Sequence, residues 1–280
     1  MIDILLSTYN GEKYLSEQLD SLFSQTYQNF RIIVRDDGST DETINILNTY
    51  KQKFKEKIEV YFENNIGPKN SFFELLKKST SNYIMFCDQD DVWLSQKLKT
   101  MIDIIGKYDD EPTLLFCDLF VVDDKLDVLS KSFYDYQGID RYKTDFFSLI
   151  RKSVFPGCSL MLNRKLVDLI KYTNINNIRM HDCYIGLIAS YFGNIVYVDE
   201  QLNLYRQHSN NTIGAQDNSL KYFINRLANY TKEDVLNYIK YLKDSKKDYQ
   251  LYEFYINYKD QITKEDAVKI VKLLKRGKLL

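Results

Sequence analysis

The chain has 280 residues, 44% of them hydrophobic, enough to bury one large core or a core with an appendage. Its 38 basic and 39 acidic residues nearly cancel, so no global field points to nucleic acid or a membrane as partner. The balance conceals an asymmetry, with 14 basic and 8 acidic residues from Ser219 onward against 24 and 31 before it. In chain order, apolar runs at 2–7, 30–36, 57–63, 83–88 and 113–122 are predicted strands. Helical periodicity fills the intervals at 12–25, 42–54, 70–79 and 95–108. The pattern is less regular from 145 to 198: FPGCSLMLNRKL (155–166) reads as a loop, a strand and a helix start, and HDCYIGLIASYF (181–192) as a helix. After the polar loop 206–218 the remainder is helical in period and basic.

The β/α alternation predicts an α/β fold, a mostly parallel sheet with helices on both faces that binds ligands at the carboxyl ends of its strands. STYNGE (7–12), DDGSTDE (36–42) and DQDD (88–91) follow the first, second and fourth strands, so they should converge on one edge. Four dispersed cysteines without a C-x-x-C pair read as buried free thiols in a reducing compartment. The opening MIDILLSTYN has no basic leader before an apolar stretch, and no apolar run nears the ~20 residues of a membrane span. A cytoplasmic location is expected. The 23 tyrosines and 16 phenylalanines suit strands, interfaces and sugar-stacking surfaces alike and discriminate nothing by themselves.

In RDDGSTDET (35–43), Ser39 and Glu42 have the spacing of a capping box opening the second helix, and Gly38 permits a tight turn. Capping leaves Asp36 and Asp37 unexplained, since carboxylates at a strand end must be solvated or paired. In DQDDVW (88–93), Asp88 and Asp90 can point the same way and bind a hard divalent cation through oxygen. The structural alternative makes Asp90 or Asp91 a helix cap and Trp93, the one tryptophan, a core aromatic. Both histidines fall in polar clusters, RMHDCY (179–184) and YRQHSNNT (205–212). Asp182 there is either a functional carboxylate or a helix cap.

Taken together, STYNGE, SLFSQTYQNF (21–30), DDGSTDET (36–43), NNIGPKNSFFELL (64–76), DQDDVW, PGCSLMLNRKL (156–166), MHD (180–182) and YRQHSNNTIG (205–214) resemble a family 2 glycosyltransferase of the GT-A fold. The wording of CDQDDVWL, MHD and YRQHSNNTIG is similar to the rhamnosyltransferase-like branch of bacterial surface polysaccharide assembly. The resemblance implies a catalytic domain at 1–215; residues 216–280, basic and helical in period, form a C-terminal region beyond it. It implies that Thr8 and Tyr9 lie against the nucleotide base, with Asn10 and Glu12 from the same loop, and that Asp37 bonds the base N3–H. It places Asp88 near the ribose or the metal, makes Asp90 and His208 ligands of Mg²⁺ or Mn²⁺, and gives Arg206 to the diphosphate. Asp182 takes the position of the general base, and Trp93, Gly157 and His181 that of the acceptor contacts; an exposed Trp93 could stack on a sugar face, and a buried one would be core.

The implied reaction is an inverting transfer from a nucleoside diphosphate sugar, dTDP-rhamnose favoured over a UDP-hexose, to a glycan or polyprenol-linked acceptor. A nucleotidyltransferase and a catalytically silent nucleotide-sugar-binding partner are the alternatives. KEDAVKIVKLLKRGKLL (264–280) sets Val268, Val271, Leu274 and Ile270 or Leu273 on neighbouring turns among basic residues. Such a helix packs on the core, pairs with a second subunit or lies on the inner, anionic face of the cell membrane.

Overall fold

The computed structural model describes residues 1–175, 178–208, 253–254 and 256–276. In chain order the elements are β1 (Ile2–Thr8), α1 (Leu15–Phe23), β2 (Phe30–Asp36), α2 (Thr43–Lys53), β3 (Ile58–Phe62), α3 (Pro68–Lys78), β4 (Tyr83–Cys87), β5 (Val92–Trp93), α4 (Lys97–Ile105) and β6 (Thr113–Val122). They continue with β7 (Val128–Ser130), α5 (Phe133–Gln137), α6 (Phe146–Arg151), β8 (Leu160–Asn163), α7 (Arg164–Ile170), α8 (His181–Phe192), β9 (Asn194–Arg206) and α9 (Lys264–Arg276). The sheet runs β3-β2-β1-β4-β8-β6-β9-β5, with β7 on the side of β6. Its first four strands are parallel, β8 runs against both of its neighbours, β9 is parallel to β6, and β5 is antiparallel to β9.

Alternation along the central strands divides the core into two faces. Leu5, Ile33, Ile84 and Phe86 pack toward α3, α7 and α8, whereas Ile4, Leu6, Ile32, Val34 and Met85 pack toward α1, α2 and α4. Strands buried on both faces explain the nearly continuous apolar runs of the sequence. Thr8 lies beside Asp36 and Leu6 beside Cys87, so the loops leaving β1, β2 and β4 emerge side by side, as the sequence predicts.

The capping box does not form. Ser39 donates its Oγ and its backbone N–H to the buried Asp36, and α2 begins later, with Asp41 accepting the Thr43 N–H at 3.0 Å. A carboxylate three positions earlier, at the end of β2, outcompetes Glu42 for the serine. Behind the same loop, Gly67 at φ +79° turns the chain into Pro68, whose missing N–H costs nothing at the first helical position.

Among the described C-terminal residues, Phe254, Tyr258, Ile262 and Ile270 join the core on the α8 side. Tyr191 on α8 donates to Asp266 at 2.9 Å, and Tyr258 donates to the Leu169 carbonyl at 2.9 Å. Of the apolar stripe predicted on the last helix, Ile270 is buried while Val268 is 46% exposed. The expected boundary near 215 and the NNTIG half of the YRQHSNNTIG motif lie outside the described residues. No helix among the described residues is long and apolar enough to cross a membrane.

Candidate active site

The converging loops line a cleft of about 970 Å³. At its base the two aspartates that capping left unexplained both hold loops in place. Asp36 accepts Thr8 Oγ1 at 2.9 Å and Ser39 N–H at 2.9 Å. Asp37 pairs with Arg35 and accepts the backbone N–H groups of Ile66 and Gly67, the latter at 2.8 Å, while still lining the cleft. Asn10, at φ 47°, donates its N–H to Ser39 Oγ at 2.9 Å and accepts the Thr40 N–H at 2.8 Å, which fixes the β1–α1 loop on the β2–α2 loop. Glu12 is a correction. It lies outside the cleft, its carboxylate taken by the Glu42 N–H at 2.9 Å at the start of α2.

Gln89 went unpredicted. Its amide exchanges two hydrogen bonds with the Tyr9 backbone, at 2.9 and 3.0 Å, and so splints the expected base-binding loop to the acidic loop. A Cβ at Gly11 would come within 2.3 Å of Gln89 Oε1, so the glycine of YNG makes room for this clamp. The only sequence signal was its place between Asp88 and Asp90.

Beyond the clamp lies the acidic centre. The Asp88 carboxyl is pushed up to about 7, first by burial and then by the charges of Asp90 and Asp182. Asp90 Oδ2 lies 2.9 Å from His208 Nε2. Asp91 is fully buried; one oxygen accepts the Arg206 N–H at 3.1 Å and the other has no hydrogen-bond partner among the described residues. Burial, then the charges of Asp90 and Asp88, push its carboxyl well up. Neither Asp90 nor Asp91 caps a helix, since α4 starts at Lys97 behind Gln96.

The structure corrects two further expectations. Trp93 is only 2% exposed, roofed by Lys97 Nζ 3.6 Å above its ring, and does not line the cleft, so it is a core aromatic and not a platform for sugar. Arg206 is 3% exposed, and its guanidinium is spent on the Asp90 carbonyl at 2.8 Å, the Asp124 carbonyl at 2.7 Å and the Glu17 carboxylate. It braces the acidic loop from behind and does not face a diphosphate.

Asp88, Asp90 and His208 all line the cleft, and the Asp90–His208 pair at 2.9 Å is of a chemistry that suits a hard divalent cation. The three offer carboxylate oxygens and an imidazole nitrogen, and the Asp88 carboxyl, raised by burial and then by its neighbours' charges, is one that a cation would return to the ionised form. A second group, Asp88, Asp91 and Cys158, has ligand atoms within 4.8 Å of one another. Burial first, then the charges of Asp91 and Asp88, push its thiol well up, and a neutral thiol suits Mg²⁺ or Mn²⁺ poorly.

The opposite wall is built by α8 and the 3₁₀ turn at Gly157–Ser159. A Cβ on Gly157 would approach His181 Nε2 to 3.0 Å and Asp182 Cβ to 3.9 Å, so glycine lets this turn press against the start of α8. His181 is 2% exposed, wedged between Phe72 and Phe86, and burial lowers its pKa, which keeps the imidazole neutral. Asp182 stands in the first turn of α8, accepts the Cys183 N–H at 2.6 Å, and lines the cleft; the N-cap is Met180. The cleft thus unites Thr8, Tyr9, Asn10, Asp37, Asp88, Asp90, Gly157, His181, Asp182 and His208, and leaves out Glu12, Trp93 and Arg206.

Comparison with known proteins follows the same lines. Residues 3–170 match the profile of Glycosyl transferase family 2. The chain is 28% identical over 229 residues to the dTDP-rhamnosyl transferase RfbG of Shigella flexneri, covering 75% of this chain and 74% of that protein. It is 27% identical over 238 residues to an uncharacterized glycosyltransferase of Rickettsia prowazekii, RP339, covering 83% and 72%. Among solved structures, S. aureus TarS 1–349 in complex with UDP-GlcNAc matches with a TM-score of 0.59 at 17% identity, over 99% of this chain and 81% of that one. The mannosyltransferase PcManGT from Pyrobaculum calidifontis, in complex with GDP-Man and Mn²⁺, matches with a TM-score of 0.58 at 14% identity, over 99% and 79%. At these identities the structural likeness speaks for a shared GT-A-like fold.

Proposed function

Because the chain belongs to Glycosyl transferase family 2, and is accordingly a glycosyltransferase, we propose that it moves a sugar with inversion from a nucleoside diphosphate donor to an acceptor hydroxyl, in a metal-dependent reaction. The observation that carries this reading is geometric: Asp88, Asp90 and His208, with Asp90 and His208 paired at 2.9 Å, share one cleft with Asp182, so metal-type carboxylates and a carboxylate of general-base type open onto the same space. In this reading Thr8, Tyr9 and Asp37 receive the nucleoside. Asp182 accepts the proton of the acceptor hydroxyl as its oxygen bonds the anomeric carbon from the face opposite the leaving group. The bond from that carbon to the diphosphate oxygen breaks, its electron pair leaves with the diphosphate, and a single displacement inverts the centre. Mg²⁺ or Mn²⁺, held by Asp90, His208 and Asp88, would supply positive charge to the departing diphosphate. Gly157 and His181 shape the wall beside the base, where the acceptor is expected.

The donor reading favours dTDP-rhamnose, supported by the relative named as a dTDP-rhamnosyl transferase. A UDP-sugar is the second reading, favoured by the fold shared with TarS bound to UDP-GlcNAc. The acceptor we propose is a growing bacterial surface glycan or a lipid-linked oligosaccharide, met at the inner face of the cell membrane by a basic C-terminal region.

The test is a panel of dTDP-, UDP- and GDP-sugars with Mn²⁺, read as donor binding and single-turnover transfer in wild type and Asp182→Asn. Asparagine keeps the size and cannot take the proton, so transfer should fall ~10²–10⁴-fold with donor affinity unchanged. Transfer at the wild-type rate would remove Asp182 as base, and a product of retained anomeric configuration would remove the single displacement.

A further inference from the structure

We propose that Lys13 binds the donor's diphosphate, leaving Asp124 for it when the donor enters; this deepens, and rests on, the nucleotide-sugar reading above. The described lining of the cleft contains five aspartates, Asp37, Asp88, Asp90, Asp124 and Asp182, and Lys13 is its one fixed positive charge among the described residues. An incoming diphosphate adds further negative charge to this wall. One divalent cation cannot balance both, and a flexible ammonium at the rim is the group able to follow the ligand.

At rest, Lys13 Nζ sits 2.8 and 2.9 Å from the two oxygens of Asp124. The two side chains are 65% and 45% exposed, so water competes with the pair and its release is cheap. Asp124 is not left bare when the lysine goes, because the Tyr14 hydroxyl donates to it as well. Nor does it drift: Asp123 Oδ1 accepts the Lys125 and Asp127 N–H groups at 2.8 and 2.9 Å, and Arg206 holds the Asp124 carbonyl. The lysine is therefore parked on a fixed anchor.

The parking place adjoins the metal-type residues. The Lys13 ammonium lies 4.7 Å from the Tyr14 ring centroid, the Tyr14 ring lies 4.8 Å from that of His208, and His208 meets Asp90 at 2.9 Å. A short swing across Tyr14 brings the charge from Asp124 toward the region where the diphosphate would meet Asp90 and His208. Lys13 also stands on the β1–α1 loop that carries Thr8 and Tyr9, so the same loop would grasp base and phosphate.

The experiment titrates wild type, Lys13→Gln, Lys13→Arg and Asp124→Asn with dTDP, UDP and GDP in the presence of Mn²⁺, and with the phosphate-free nucleosides. Lys13→Gln should weaken diphosphate binding about tenfold, the scale of one hydrogen bond to a charged group, and flatten its salt dependence, with nucleoside binding unchanged. Lys13→Arg should retain most of the affinity. Asp124→Asn frees the lysine, so diphosphate affinity should hold or rise. Wild-type affinity in Lys13→Gln, or an equal loss in Lys13→Gln and Asp124→Asn, overturns the proposal and makes the pair a strut. A wild-type protein that binds none of the nucleoside diphosphates overturns the nucleotide-sugar reading itself, and this assignment with it.

Discussion

Asp3 and Asp88 sit at opposite ends of the adjacent strands β1 and β4 and answer burial in opposite ways. Asp3, near the amino end of β1, is fully buried, and burial alone would push its carboxyl up. Arg31 at 2.7 Å, the Ser81 hydroxyl at 2.6 Å and the N–H groups of Ser81 and Thr80 more than reverse this and hold it below the ordinary range. Asp88, at the carboxyl end of β4, is pushed the same way by burial and then further by the charges of Asp90 and Asp182. One end of the sheet is finished by its own residues; the other gathers like charges onto one cleft. Asp3 ties strands together, and Asp88, in the reading proposed above, is the carboxylate that a cation would balance.

The contrast breaks most visibly at Asp90. In the metal-dependent reading, Asp90→Asn removes a hard ligand and the partner of His208, so Mn²⁺-dependent transfer should fall on the order of 10³-fold or about 4 kcal/mol of transition-state stabilisation. Single-turnover assays at saturating donor check it, and activity within tenfold of wild type would take Asp90 out of the centre.

Asp3→Ala tests the finished end. It leaves Arg31 without its buried partner, although at 27% exposure that guanidinium can still reach water. A loss of about 2–3 kcal/mol in urea unfolding, with nucleotide binding intact, is expected. A loss below about 0.5 kcal/mol would mean that the network holds nothing together.

Asp88→Asn should do the reverse in the metal-free protein. The folded-state pKa near 7 lies above the ordinary 3.8, so between those values the folded protein keeps a proton that the unfolded chain has released. Stability from this group is full below about pH 4 and is lost as pH rises through 7. At pH 8 the asparagine variant should therefore be more stable than metal-free wild type by roughly 1–2 kcal/mol, after discounting for a half-open site, and the gap should close at pH 4. Asp3 has the opposite sign: its contribution is present above 3.8 and is lost as pH falls through its depressed value. Urea midpoints of both variants across pH 3 to 8 measure the two slopes. Slopes of the same sign would refute the contrast.

The convergence of the three loops was legible in the sequence because parallel strands joined by helices leave one set of ends on one edge, and carboxylates there had no core to enter. The sequence did not disclose which polar residue meets which across the sheet. Trp93 beside three aspartates is compatible with a sugar platform until α4 brings Lys97 over it. Gln89 is anonymous until β4 lies against β1 and its amide reaches Tyr9, 80 positions earlier. β9 passed unrecognised because Asp199 and Glu200 interrupt its alternation, where its register against β6 also slips. Ser39 and Glu42 satisfy the spacing of a capping box, and only the fold reveals Asp36 as the stronger partner.

The smallest expected effect concerns Glu12, which stands on the functional loop yet behaves like a residue of the finished end. Its carboxylate accepts the Glu42 N–H where α2 begins, a position at which negative charge is favoured by the helix ends. Glu12→Gln preserves an acceptor oxygen and removes the charge, so thermal unfolding should register a loss of at most ~0.5 kcal/mol. Donor affinity with Mn²⁺ should stay within twofold of wild type, because the residue faces α2 and not the cleft. A tenfold fall in donor affinity without a stability change would put Glu12 among the nucleotide contacts after all. The line between residues that hold the loop and residues that meet the ligand would then have to be redrawn, beginning with Asn10, whose hydrogen bonds reach the same β2–α2 loop.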